Sequence, residues 1–195
     1  MNITRFDAAK FSSQNYWVPI QKGGAFRRWY GNLEYVVDWR RNGAELRSHP
    51  GSSIRNERFY GVEGATWSTL TSSDFSMRHS PAGFIFESKG AVCFPIAPFT
   101  LPNLLAFGNS CVAQAFFSAL SQTMDYHEGP FGLLPYVEPL EKSQVAKRAS
   151  RAVEIAKADW DATEDSWDFL GIAIAWRMQK GTSLSKAWSE WHSIC

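Results

Sequence analysis

The residues best suited to do chemistry in this sequence lie in one short stretch, "KGGAFRRWYGN" at positions 22–32. It combines glycines with cations, an amide and two large aromatic side chains. Arginine reads guanine through a bidentate fork and asparagine reads adenine, while cations and glycine-rich backbone hold phosphates. The pattern therefore predicts contacts with a nucleic acid through Lys22, Arg27, Arg28 and Asn32.

The same stretch has a second interpretation, in which it serves the protein's own packing. Trp29 and Tyr30 would then be core anchors, and Gly23 and Gly24 would form a tight turn. Both interpretations hold together if the rings pack while the cations face outward. Adjacent arginines in extended backbone point to opposite sides, so the two are expected to differ in the contacts they make. Stacking of single-stranded bases on the two rings is a weaker alternative.

A second set of polar side chains flanks positions 41–56, which Gly43, Pro50 and Gly51 interrupt. This stretch is predicted to be a long loop, and long loops inside compact domains are often functional. The further candidates for DNA contact are Arg41, Asn42, Arg55, Asn56 and Arg58. Most protein–DNA hydrogen bonds go to phosphate and sugar, so the sequence does not separate base-reading arginines from phosphate-binding ones.

The charge distribution agrees with a polyanionic partner. Residues 1–60 carry ten Lys and Arg against five Asp and Glu, whereas residues 61–140 carry two against six, and the whole chain has a net charge of +1. A basic front part is the electrostatic signature of nucleic-acid binding, and a merely solvated charged face is the alternative.

Motifs for catalysis are missing from the sequence. It has no dinucleotide-binding glycine pattern, no phosphate-binding loop of the Walker type and no serine-nucleophile motif, and its histidines lack metal-ligand spacing. We expect the chain alone to be no enzyme and to hold no metal. No apolar run is long enough to span a membrane. The three widely spaced cysteines, Cys93, Cys111 and Cys195, are typical of a reduced, cytoplasmic protein.

The elements that must position these side chains change in type near residue 101. Short apolar and β-branched runs predict strands at 35–40 and within 64–75, and a hairpin whose strands, 83–88 and 91–96, turn at Lys89-Gly90. Residues 1–21 are expected to be irregular. Apolar residues at helical spacing predict helices over 101–122, 141–160 and 184–194. Gly108 lies inside the first of these, where something is expected to pack closely.

Strands followed by helices predict the α+β class. We expect a twisted, mainly antiparallel sheet over 33–96, packed by the helix near 102–121, and then a C-terminal helical segment. The predicted domains are a recognition domain at 1–140 and a helical segment at 141–195.

Several motifs in a fixed order carry a resemblance to a known family. The stretch "QNYWVPIQKGGAFRRWYGNLEYVVDWRRNGAELR" resembles the start of the specificity region of BREX-type PglX adenine-specific DNA methyltransferases. These enzymes are similar to type IIG restriction-modification proteins and have a TaqI-like C-terminal specificity domain. Residues 54–95 resemble the family's next motifs, "LLAFGNSCVAQAFFSAL" resembles its helix, and "LSKAWSEWHSIC" resembles its C-terminal helical segment. The likeness covers nearly the whole chain, although Gly108 replaces a bulkier family residue.

The resemblance implies a double-stranded DNA recognition module of an adenine-N6 methyltransferase that acts in bacteriophage defence. It implies that S-adenosylmethionine binds to a separate catalytic domain, because the family's cofactor loop and Asn-Pro-Pro-Tyr-type motif are not found here. The expected partners are DNA and that catalytic domain or other BREX-type subunits, with no membrane. The alternative is a protein-interaction module whose tryptophan-rich tail docks on the methyltransferase core or another defence subunit, because aromatic residues are enriched in interface cores. These tryptophans are Trp160, Trp167, Trp176, Trp188 and Trp191.

Overall fold

The strands form two small sheets in a computed structural model that describes residues 16–121, 125–171 and 183–192. In the first sheet, β1 (Trp17–Gln21) lies between β2 (Val36–Asp38), which is antiparallel to it, and a two-residue parallel strand, Ile85–Phe86. In the second, Gly64–Ser68 lies between Met77–Ser80 and Gly90–Cys93, and both neighbours are antiparallel to it. In chain order these last four strands are β3 (Gly64–Ser68), β4 (Met77–Ser80), β5 (Ile85–Phe86) and β6 (Gly90–Cys93).

One 3₁₀ turn and six α-helices lie outside the two sheets in the described ranges. A short 3₁₀ turn covers Glu57–Phe59. The α-helices are α1 (Arg40–Ser48), α2 (Leu101–Gly108), α3 (Cys111–Leu120), α4 (Glu128–Gly132), α5 (Lys142–Asp161) and α6 (Leu184–His192). The predicted α+β class with mainly antiparallel strands and a C-terminal helical segment is therefore confirmed.

The predicted hairpin is wrong. β5 pairs with β1 and β6 pairs with β3, so the two strands belong to different sheets. The turn between them is present, with the Gly90 N–H donating to the Glu87 carbonyl at 3.1 Å. This turn connects the two sheets. Two short apolar runs in the sequence do not show whether the strands pair with each other or with strands of different sheets.

Two further predictions near the front need correction. The stretch expected to be irregular at 1–21 contains β1, while residues 1–15 lie outside the described ranges. The loop expected at 41–56 begins as α1, whose first turn has left-handed backbone angles. A helix that starts in this conformation at Arg41 and Asn42 has no periodic apolar signature.

The helix expected over 101–122 is divided in two. Ser110 caps α3 by accepting a hydrogen bond from the Ala113 N–H at 3.2 Å. The Asn109 amide accepts from the Met77 N–H and donates to the Met77 carbonyl, both at 2.9 Å. A Cβ at Gly108 would lie 2.8 Å from the Met77 sulfur, so the expected close packing at this glycine is confirmed.

The second sheet has one apolar and one polar face, as strand alternation requires. Ala65, Trp67 and Met77 point into the main core, where the Phe75 and Phe117 rings stack with centroids 4.2 Å apart.

The opposite face carries buried polar groups toward β1. Gln21 donates to Ser80 at 3.0 Å, and the Arg78 guanidinium, which is 0% exposed, lies 3.4 Å from the Ser68 hydroxyl. Burial lowers the pKa of Arg78 to about 10. The second sheet therefore contacts the helices through its apolar face and contacts the first sheet through its polar face.

The helix α5, which its periodicity predicted at 141–160, packs against α2 and against the front of the chain. Its Trp160 shares a core cluster with Tyr30, Leu33 and Phe84. Among the described residues, no helix has the length and apolar content needed to cross a membrane.

Candidate nucleic-acid interface

The stretch 22–32 is attached to β4 through its backbone. The Trp29 N–H donates to the Met77 carbonyl at 2.9 Å, and the Trp29 carbonyl accepts from the His79 N–H at 2.8 Å. Tyr30 is buried in the cluster that contains Trp160. The aromatic residues are thus anchors of the fold, as the packing interpretation predicted.

The two adjacent arginines have different surroundings. The Arg27 guanidinium lies 4.8 Å from the centroid of the Trp160 ring and 3.5 Å from Asp159, and its side chain is 31% exposed. Arg28 is exposed and lies 5.5 Å from the ring of Phe26, which is itself exposed. Arg27 is therefore engaged by the protein, whereas Arg28 is available to a ligand.

The other two candidates in this stretch also differ. The Lys22 ammonium is exposed and lies 4.8 Å above the ring of Tyr35. Asn32 is 3% exposed, and its amide donates to the Ala25 carbonyl at 2.8 Å. Asn32 thus closes the loop from inside, so Lys22 and Arg28 are the members of the first set that face outward.

The first turn of α1 has an unusual backbone. Arg41, Asn42 and Gly43 have φ values of 50°, 59° and 69°, which form a left-handed turn. The Gly43 N–H closes it on the Trp39 carbonyl at 3.0 Å, and a Cβ at Gly43 would lie 3.2 Å from the Trp39 ring. Left-handed conformation costs a residue with a side chain about 1–2 kcal/mol, and such strain clusters at functional sites. Arg41 and Asn42 are both exposed on this turn.

Arg47 is hydrogen-bonded to this turn. Its Nε donates to the Asn42 carbonyl at 2.8 Å, and Nη1 and Nη2 donate to the two carboxylate oxygens of Glu57, each at 2.8 Å. Its guanidinium also lies 5.9 Å from the Trp39 ring centroid. One side chain thereby connects the start of α1 with the 3₁₀ turn.

The remaining candidates surround Glu57. Arg55, Asn56 and Arg58 are all exposed, and Arg55 donates to the Ser53 hydroxyl at 2.9 Å. Asn56 is left-handed, with φ of 58°. Because Arg47 bonds both to Asn42 and to Glu57, the structure brings the candidates at 41–42 and at 55–58 to one surface.

Ion pairing divides the cations of this region into two groups. Asp38 accepts hydrogen bonds from Arg40, which hold the pKa of Asp38 below its usual value, and Arg47 does the same for the pKa of Glu57. The charges of Arg40 and Arg47 are therefore balanced by these two carboxylates at neutral pH. Among residues 22–58, the exposed cations that pair with no acid are Lys22, Arg28, Arg41, Arg55 and Arg58. Elsewhere in the described ranges, Lys89, Lys147, Arg148 and Lys186 are also exposed and pair with no acid.

Sequence reasoning missed the bridging role of Arg47, since its partner is ten positions away and no motif joins them. Across the part of the chain that the structure describes, no group of three or more His, Cys, Asp or Glu side chains is arranged to hold a metal ion.

No protein-family model matches the chain. It is 38% identical over 160 residues to the adenine-specific methyltransferase PglX of Lacticaseibacillus casei (strain Zhang), a match that covers 78% of this chain and 13% of the relative. It is 34% identical over 171 residues to the adenine-specific methyltransferase BrxX of Escherichia coli O9:H4 (strain HS), which covers 87% of this chain and 14% of the relative. The chain spans about one seventh of the length of these relatives and is homologous to that portion of the PglX and BrxX adenine-specific methyltransferases.

Proposed function

We propose that this chain is a double-stranded DNA recognition module of an adenine-specific DNA methyltransferase in a BREX-type phage-defence system. The observation that carries the proposal is the set of five exposed, unpaired cations within residues 22–58, on a scaffold homologous to part of PglX and BrxX. Methyl transfer and the binding of S-adenosylmethionine are assigned to other parts of such an enzyme.

The pairing pattern supports a surface for phosphates. Glu57 and Asp38 are already occupied by arginines, so they offset little of the charge on the unpaired cations nearby. If all five unpaired cations contact phosphates, the logarithm of the binding constant should fall with the logarithm of salt concentration with a slope of about −4 to −5.

The same surface carries groups that can read bases. Asn42 and Asn56 present exposed amides, which pair with adenine, and Arg41 and Arg58 present forks that fit guanine. The left-handed turn and the 3₁₀ turn place these amides and forks on backbone of defined geometry, which favours readout over nonspecific attraction.

The test combines a salt titration with a selection from a pool of randomised duplexes. We expect the pool to be enriched in one sequence and the affinity to fall steeply with salt. Arg41→Ala should weaken binding or change the enriched sequence, while Arg148→Ala, which removes the same charge from the exposed face of α5, should do neither. Binding that is insensitive to salt, or equal effects of the two variants, would overturn the proposal.

The protein-interaction alternative has its own support. Leu133, Val137 and Leu140, between α4 and α5, are more than two-thirds exposed. Of the tryptophans assigned to this role, Trp160 is buried in the fold, and Trp188 is half exposed. Trp176 and the side chain of Trp191 lie outside the described part of the molecule.

This second candidate predicts a different outcome. Val137→Ser with Leu140→Ser should weaken binding to the remaining portion of a PglX-type enzyme and leave duplex affinity unchanged. The Arg41→Ala variant should show the opposite pattern.

A further inference from the structure

We propose that Arg47 is a positioning residue of the DNA-recognition surface, which sets the left-handed turn at 41–43 against the 3₁₀ turn without touching DNA. The recognition part of this inference rests on the proposed function. The positioning part rests on geometry alone and is tested separately.

The Arg47 side chain is bound mainly to the protein itself. Three of its five N–H groups donate at 2.8 Å, one to the Asn42 carbonyl and two to the Glu57 carboxylate. A bidentate carboxylate satisfies the planar fork in both charge and direction. Arg47 therefore differs from its neighbours Arg41 and Arg58, which pair with no acid in the described ranges.

The turn that Arg47 supports needs an external restraint. Arg41 and Asn42 both have side chains and both occupy the left-handed region, which persists only when the surroundings impose it. The turn is closed by a hydrogen bond from the Gly43 N–H to the Trp39 carbonyl. The bond from Arg47 to Asn42 fixes the middle of the turn from outside.

The same side chain fixes the spacing between two groups of candidate readers. Asn56 and Arg58 flank Glu57 in sequence, and Asn42 is bonded to the same guanidinium as Glu57. The distance between the two groups is thus set by one rigid, planar unit. Site geometry must be held within a fraction of an ångström for readout of base edges, and a second layer of hydrogen bonds supplies that rigidity.

A rival explanation is that Glu57 pairs with Arg47 in the free protein and that a DNA phosphate takes the place of Glu57 on binding. The two explanations predict different effects of Glu57→Gln on DNA binding. If Arg47 binds phosphate, this variant frees a cation, strengthens binding to all sequences and steepens the salt dependence. If Arg47 positions the turn, the variant loosens the turn and reduces sequence preference.

The experiment uses the full 195-residue chain and the randomised duplex pool. Asp38→Asn is the matched control, since it also removes an acid that holds an arginine, Arg40, in a bidentate pair. The asparagine Oδ1 can still accept the Arg40 N–H that the carboxylate accepts at 3.0 Å at the start of α1. We expect Glu57→Gln and Arg47→Lys each to reduce the preference for the enriched sequence about tenfold, the scale of one bidentate base contact. Arg47→Lys keeps the charge but cannot form the fork. Asp38→Asn should leave the preference unchanged.

Hydrogen exchange of the Gly43 amide reports on the turn without DNA. It should become faster in Glu57→Gln and Arg47→Lys and stay unchanged in Asp38→Asn, with melting temperatures that show all variants to be folded. Tighter binding of Glu57→Gln to every sequence, or unchanged Gly43 exchange, would overturn the inference. If the wild-type chain shows no DNA preference, the proposed function fails, and Gly43 exchange alone decides whether Arg47 positions the turn.

Discussion

Replacing Arg27 with alanine should destabilise the protein, while the same change at Arg28 should not. Arg27→Ala removes a cation–π contact at 4.8 Å from the Trp160 ring, which contributes about 0.5–1 kcal/mol at a partly exposed site. It also removes the 3.5 Å pair with Asp159, and an exposed pair contributes about 0.2–1 kcal/mol. Together the two losses lower the free energy of unfolding by about 1–2 kcal/mol.

Thermal unfolding gives the measurement. For a chain of this length, about 1 kcal/mol corresponds to about 2–4 °C in Tm, so Arg27→Ala should unfold about 2–8 °C lower than the wild type. Arg28→Ala removes the same charge one position away, and its stability should stay within about 0.5 kcal/mol of the wild type because the side chain is exposed. Raising the salt concentration should reduce the effect of Arg27→Ala only in part, because the ring contact survives screening better than the exposed ion pair.

DNA binding should reverse the order of the two variants. Arg28→Ala should reduce the salt slope by about 1 if Arg28 holds a phosphate, whereas Arg27→Ala should leave it nearly unchanged. Equal Tm values for the two variants would refute the reasoning, and so would a larger loss of DNA affinity in Arg27→Ala than in Arg28→Ala.

Three further predictions concern stability and reactivity. Gly31→Ala should lower stability by more than about 1 kcal/mol, because φ is 118° and the added Cβ would lie 2.7 Å from an arginine side-chain carbon; Gly129→Ala, with open space around its Cβ, should be neutral or slightly stabilising by calorimetry. Phe75→Ala should cost about 3–5 kcal/mol in urea unfolding, because the ring is fully buried among other aromatic rings. Iodoacetamide at mildly alkaline pH should label exposed Cys111 and spare Cys93, because burial raises the pKa of the Cys93 thiol to about 12. Because the Cys93 thiol loses its proton in the unfolded protein near the ordinary pKa of 9.0 but keeps it in the folded protein, the free energy of unfolding should fall as pH rises above about 9. Labelling of Cys93 as fast as Cys111 would contradict both expectations.

Long periodic segments were predictable from the sequence because burial repeats along them. The helix predicted at 141–160 is found at Lys142–Asp161, with Ala149 and Trp160 buried as the apolar stripe requires. Strand partners were not predictable, because β5 and β6 are each too short for their pattern to choose between a hairpin and two different sheets.

Composition alone did not show which candidate residues serve the fold and which can bind a ligand. Asn32, Asn42 and Asn56 all have φ near 58–59°, a conformation that asparagine adopts more readily than most residues. An asparagine in a glycine-rich stretch can therefore serve the turn, as buried Asn32 does, or a ligand, as we propose for the two exposed ones. The roles of the nine candidate residues and the division at residue 140 remain predictions.

The contact between Arg27 and α5 has a consequence for biosynthesis. Arg27 and Asp159 are separated by 132 positions, and Tyr30, Leu33 and Phe84 share their core cluster with Trp160 of α5. A ribosome adds about 5–20 residues each second, so Trp160 is synthesised on the order of ten seconds after these three residues. During that interval the nascent chain presents an open apolar surface suited to a chaperone. A fragment that ends before α5 keeps that surface open permanently, and we expect it to aggregate.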